Sequence, residues 1–81
     1  MTIILSDRAA DAVADAPAPV QNAFYKQLRF LVQDLKHPSL RAKKYDEAED
    51  IWQARVNRAW RFYFQIDGNT CFITDVIPHT K

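Results

Sequence analysis

Residues 51–66 read Ile51-Trp-Gln-Ala-Arg-Val-Asn-Arg-Ala-Trp-Arg-Phe-Tyr-Phe-Gln-Ile66. In the second half of this stretch Trp60, Phe62, Phe64 and Ile66 alternate with Arg61, Tyr63 and Gln65, the period-two pattern of a strand with one face in a core and one polar face. Residues 51–56 form another β-run, and Asn57-Arg58 supplies turn chemistry between the two. A third run, 70–77, follows Asp67-Gly68-Asn69, where the only glycine stands at a turn that demands positive φ. The three runs predict a meander.

Upstream the period changes from two to 3.6. Val20, Phe24, Leu28, Leu31 and Leu35 recur at spacings of three and four, with Asn22, Lys26, Arg29 and Gln33 opposite them, which predicts an amphipathic helix. Pro38 pushes His37 out of helical geometry, so the helix is expected to end near Lys36-His37. Pro17-Ala-Pro19 separates it from an alanine-rich helix over 8–16, which Ser6 caps and Asp7 complements electrostatically. Thr2-Ile-Ile-Leu5 is a short β-prone segment. The predicted order is β-α-α-β-β-β, an α+β fold with an antiparallel sheet packed against a helical pair.

Composition bounds the rest. A chain of 81 residues, 48% hydrophobic and 26% charged, is one domain, residues 1–81, with one modest core. Its net charge of +1 is far from the charge-rich composition of disordered chains. Cys71 is the only cysteine, so no intramolecular disulfide forms; one cysteine and two histidines are a poor ligand set for a metal, and neither a metal nor a cofactor is expected. No apolar run approaches a membrane span, and the first residues lack the pattern of a secretion signal, which predicts a cytoplasmic location and no membrane partner.

Charge is sorted into blocks. Residues 36–44 hold Lys36, Arg41, Lys43 and Lys44 and no acid; 45–50 hold Asp46, Glu47, Glu49 and Asp50 and no base; 51–61 hold Arg55, Arg58 and Arg61 and no acid. Across a short turn Arg55 and Arg61 are expected to be cross-strand neighbours, and two guanidiniums so placed need an anion or a carboxylate between them. Two readings follow: a phosphate site, or a neutralised network with Asp75 that only orients the sheet.

With these residues in view, His37-Pro-Ser-Leu-Arg41, Lys43-Lys44, the 51–66 stretch and Val76-Ile-Pro-His79 resemble the RelE/ParE superfamily of toxins from type II toxin-antitoxin systems, in particular its RelE- and HigB-like branches. The resemblance covers residues 37–79; the first half agrees in layout. It implies a ribosome-dependent endonuclease that cuts mRNA without a metal, blocks translation and is held in a hetero-oligomer by a cognate antitoxin. It also implies roles. Lys43 and Lys44 match basic residues of the family that bind phosphate or move a proton. Arg55 and Arg61 match its strand arginines, whose planar forks suit charge spread over phosphate oxygens. His79 matches its late histidine, able to act as acid or base near neutral pH. Lys44, Arg55, Arg61 and His79 are therefore the expected catalytic set, and Arg41, Lys43 and Arg58 the expected phosphate contacts. Two departures stand out: Tyr45-Asp-Glu47 and Ile77-Pro78 where many relatives carry glycine, and no tyrosine after His79, which leaves Tyr45 and Tyr63 as substitutes for one. A ParE-like toxin acting on a protein such as DNA gyrase, and a degenerate antitoxin-binding member, are the competing expectations.

Overall fold

A computed structural model describes residues 1–79. The chain runs β1 (Thr2–Leu5), α1 (Asp7–Asp15), α2 (Ala18–Gln33), β2 (Lys43–Asp46), β3 (Ile51–Arg55), β4 (Trp60–Asp67) and β5 (Thr70–Pro78). Ser6 joins the first strand to the first helix and fixes both: its Oγ accepts the Ala9 N–H at 3.0 Å and donates to the Thr74 carbonyl at 3.0 Å. The break between the helices follows from Pro17, whose missing N–H is harmless at a helix start.

The sheet has five strands in the order β1-β5-β4-β3-β2. The last three strands form the expected antiparallel meander. The sheet as a whole is mixed, because β1 pairs parallel to β5, Ile3 opposite Cys71 and Leu5 opposite Ile73. The helical pair carries the chain from β1 at one edge to β2 at the other, and the three antiparallel reversals that follow bring β5 back beside β1. The second difference is β2, a strand more than expected. Lys-Lys-Tyr-Asp has no apolar alternation to betray it; it is an edge strand, where charged side chains protect an open row of backbone groups.

Helix α2 ends at Gln33, three residues before the position expected from Pro38. Asp34 stops it: its N–H still bonds Phe30 at 2.8 Å, its backbone is extended, and its Oδ1 accepts the Lys36 N–H at 2.9 Å. Leu35 thus packs against the core from a turn.

One core lies between the helices and the sheet. Val13 and Ala9 of α1, Val20, Phe24 and Leu31 of α2, Leu40 of the following loop, and Ala54, Phe62, Phe64, Cys71, Ile73 and Val76 of the sheet are all buried. Phe24 meets Phe62 edge to face with centroids 5.5 Å apart. The sheet's other face has no helix over it. It carries Lys43, Gln53, Arg55, Arg61, Tyr63 and Asp75, the polar partners in the alternation that buries Phe62 and Phe64. No described helix is long and apolar enough to cross a membrane.

Candidate functional site

The open face is organised around the β3–β4 turn. Arg55 and Arg61 are register partners, as their spacing predicts. Asn57 builds the turn, its Oδ1 accepting the N–H groups of Ala59 and Trp60 at 2.9 Å each. That leaves the Asn57 carbonyl free to hold both guanidiniums: it accepts Arg55 Nε at 3.2 Å and Arg61 Nη1 at 2.8 Å. Arg61 Nη1 also reaches the Trp60 carbonyl at 2.9 Å. Partial negative charge from the turn is what permits two like charges to lie side by side.

Around this pair Arg41, Lys43 and Gln53 close a hollow of about 240 Å³. Arg41 also lines an adjoining cleft of about 520 Å³, with Lys26, Arg55 and Arg58 on its walls. Arg41 has a left-handed backbone, φ 47°, unusual for a residue with a Cβ and costing about 1–2 kcal/mol. Among the described residues the ion pairs are Arg8–Asp75, at 3.8 Å, and Lys44–Asp50. Arg41, Lys43, Arg55, Arg58 and Arg61 therefore face no ion-paired acid among the described residues. Burial, then the neighbouring charge of Arg55, and to a smaller degree that of Arg41, lower the Arg61 pKa from its ordinary value, with Tyr63 acting in the opposite direction. The network with Asp75 does not form: Asp75 lies opposite Tyr63, two register pairs along the sheet from Arg61, and its ion pair is with Arg8.

The expected site residues thus divide. Arg41, Lys43, Arg55 and Arg61 converge on one hollow, and Arg58 borders the adjoining cleft. His79 follows β5 and is tied by its N–H to the Ala59 carbonyl at 2.6 Å, which anchors it beside the same turn. Lys44 does not join them. It is the register partner of Trp52, on the helix side of the sheet, where its ammonium lies 5.1 Å from the Trp52 ring centroid and pairs with Asp50. That hydrogen bond raises the Lys44 pKa. The period of two decides it, since neighbours in a strand must face opposite ways. Glu47, Glu49 and Asp50 of the acidic block lie in the β2–β3 turn, where Asp50 faces Lys44.

Gln27 is a residue whose importance the sequence reading missed. It is 4% exposed. Its Nε2 donates to the carbonyls of Ser39 at 2.9 Å and Arg55 at 2.7 Å, and its Oε1 accepts the Ser39 hydroxyl at 3.0 Å. It pins the loop bearing Arg41 to the end of β3 bearing Arg55. The trace was present: Gln27 falls between Phe24 and Leu31 at helical spacing, a polar residue on the apolar stripe.

The Cys71 thiol is buried, and burial pushes its pKa up to about 11, so it is no nucleophile. Trp52 and Trp60 pack against the core, as their strand positions predict. His37 stacks on Phe30 with centroids 3.9 Å apart and accepts the Ser39 N–H on Nδ1 at 3.1 Å, a loop-fixing role.

No family model matches the sequence, and no curated protein sequence does. Solved structures do match the fold. A YoeB/ParE toxin from Agrobacterium tumefaciens superposes with a TM-score of 0.82 over 99% of this chain and 100% of that one, at 12% identity. The archaeal RelE in complex with RelB from Pyrococcus horikoshii gives 0.78 over 95% of this chain and 92% of that chain, at 13% identity. The E. coli RelBE toxin-antitoxin complex gives 0.76 over 99% of this chain and 98% of that chain, at 12% identity. Identity this low carries the architecture and leaves the chemistry to the residues. With its helical pair, five-stranded mixed sheet and open basic face, this chain has the fold of the RelE/ParE toxin superfamily.

Proposed function

We propose that residues 1–81 are a toxin domain whose open face cleaves mRNA on the ribosome and so stops translation. The observation that carries this reading is the hollow shared by Arg41, Lys43, Arg55 and Arg61, four cations with no ion-paired acid among the described residues. Such a cluster is stabilised by an anion, and a phosphate whose charge grows during reaction benefits more than a static one.

The reaction is an in-line displacement. The 2′-oxygen forms a bond to the adjacent phosphorus as the bond to the 5′-oxygen breaks, leaving a 2′,3′-cyclic phosphate and a free 5′-hydroxyl. A base takes the 2′-OH proton and an acid gives one to the 5′-oxygen. Arg55 and Arg61 hold the non-bridging oxygens, with the Asn57 carbonyl keeping their forks in place. Lys43 and Arg41 add charge, and Arg58 contacts a flanking phosphate. His79 serves in one proton transfer. Lys43 takes the role first divided between the two lysines, because it shares the hollow with the arginines. The reaction needs no metal or cofactor.

A cognate antitoxin completes the system in a cytoplasmic hetero-oligomer. Support comes from the fold, whose RelE representatives were solved with RelB. An acidic segment on the antitoxin would neutralise the arginine hollow and close the face to RNA.

The test is to induce the chain without a partner and map mRNA 5′ ends in the same culture. Growth arrest with cuts inside translated codons, both lost in Arg61→Ala and His79→Ala, is the expected result. Arrest without cuts would shift the target to a protein such as DNA gyrase, and no arrest would make this a binding module.

A further inference from the structure

Next to the arginines the open face changes character. Tyr45, on the edge strand, is 61% exposed although it is a large aromatic side chain. Its ring meets Tyr63 edge to face with centroids 5.0 Å apart. Tyr63 is held in place, since Gln53 Nε2 donates to its hydroxyl oxygen at 2.9 Å. The two rings, with Arg8, Ile51, Asp75 and Ile77, line a shallow hollow of about 280 Å³. Tyr63 follows Arg61 by two residues, so the hollow begins about 7 Å along the strand from the guanidinium pair, on the same face.

One acid faces this hollow. Asp75 Oδ1 accepts the Val76 N–H at 2.9 Å, which fixes the carboxylate, while among the described residues the ion-pair partner of Oδ2 is the exposed guanidinium of Arg8 at 3.8 Å. An oriented acceptor beside an exposed ring braced edge to face by a second one, close to a cluster of unneutralised cations, matches a nucleotide: phosphate on the arginines, base on Tyr45.

We propose that this hollow seats one unpaired nucleobase of the RNA whose phosphate rests on Arg55 and Arg61, with the exposed Tyr45 ring as its stacking surface, Tyr63 bracing that ring edge to face, and Asp75 as its edge reader. The proposal rests on the RNA reading given above and adds a base preference to it. A carboxylate oxygen accepts from an exocyclic amino group, which cytosine, adenine and guanine carry and uracil lacks. Uracil presents carbonyls on both sides of its one ring N–H, and these repel Asp75. Strand sequence is then selected by a residue outside the catalytic cluster.

The experiment measures binding of short 2′-O-methyl oligonucleotides, whose blocked hydroxyl prevents cleavage, by fluorescence anisotropy across a salt series. The full chain is expected to bind oligo-C and oligo-A more tightly than oligo-U. Tyr45→Ala should weaken binding roughly tenfold with the salt dependence unchanged, and Tyr45→Phe should restore it. Asp75→Asn should narrow the gap between amino-bearing bases and uracil. Arg61→Ala should instead lower the slope of log affinity against log salt by about 1. Unchanged affinity in Tyr45→Ala, or an unchanged base order in Asp75→Asn, overturns the proposal while the Arg61→Ala result stands, and leaves the hollow as a contact for a protein partner. An Arg61→Ala protein with wild-type affinity and salt slope overturns the RNA reading and this proposal with it, whereas no binding by the wild type overturns this proposal and leaves the ribosome-bound reading to the 5′-end mapping.

Discussion

Arg55 and Arg61 share a carbonyl: the oxygen of Asn57 accepts Arg55 Nε at 3.2 Å and Arg61 Nη1 at 2.8 Å. Two cations on neighbouring strands are thereby held side by side by the turn that connects them. The arrangement is poised for an anion, because the turn orients the guanidiniums without neutralising them.

If that pair binds the phosphate, Arg61→Ala should reduce RNA cleavage by about 10²–10³-fold, the usual effect of deleting one donor to developing negative charge. Arg61→Lys should remain at least about tenfold below wild type, since an ammonium lacks the planar fork. In Arg61→Ala, relief of repulsion from Arg55 offsets the lost hydrogen bonds to the Asn57 and Trp60 carbonyls, so stability should change by less than about 1 kcal/mol. Single-turnover cleavage rates and thermal unfolding check the two halves separately.

The lysine pair should separate cleanly. Lys43→Ala is expected to weaken RNA binding and flatten its salt dependence by about one charge. Lys44→Ala should leave both untouched. Lys44 acts on stability instead: its pKa is raised by the hydrogen bond to Asp50, so the contribution is fully present below the ordinary lysine value of 10.5 and is lost as pH rises through the higher folded value. Salt should narrow the difference between Lys44→Ala and wild type in urea unfolding without erasing it, because the ion pair is partly exposed while the contact of Lys44 with Trp52 persists.

Gln27→Leu keeps the apolar stripe of α2 but removes every hydrogen bond from the buried amide to Ser39 and Arg55. Two carbonyls lose a donor, and destabilisation of about 1–3 kcal/mol is expected from urea unfolding. Because Gln27 only positions the loop of Arg41 and the end of β3, the variant should lose cleavage rate while its pH profile keeps the wild-type shape.

Cys71 reports on the core. With its thiol pushed up to about 11, it should resist alkylation at pH 8 in the folded protein and react readily in urea. Above the ordinary value of 9.0 the unfolded chain ionises this thiol and the folded chain does not, so stability should fall between pH 9.0 and about 11. Cys71→Ser would abolish the rapid labelling in urea and isolate the rest of the alkaline transition.

Much of the architecture was legible because two periods are written plainly in the chain. The spacing of Val20, Phe24 and Leu31 specified the helix, and the alternation of Trp60, Phe62 and Phe64 the central strand. Both are local consequences of which side chains must leave water. Helix α2 nonetheless ends early, since Asp34 caps it through its own backbone and side chain before Pro38 acts. Strand β2 carried no apolar pattern, because an edge strand buries little and its pairing with β3 is a matter of backbone hydrogen bonds.

The sequence by itself determined the α+β class, the break at Pro17, the meander, and the pairing of Arg55 with Arg61, all of which follow from local periodicity and a short turn. Tertiary structure alone decided that β1 lies parallel to β5, that Lys43 and not Lys44 shares the arginine hollow, that Asp75 faces Tyr63 and Arg8, and that Gln27 joins α2 to the site. Each of these depends on register between segments distant in sequence, and a shift of one residue in register turns a side chain to the opposite face.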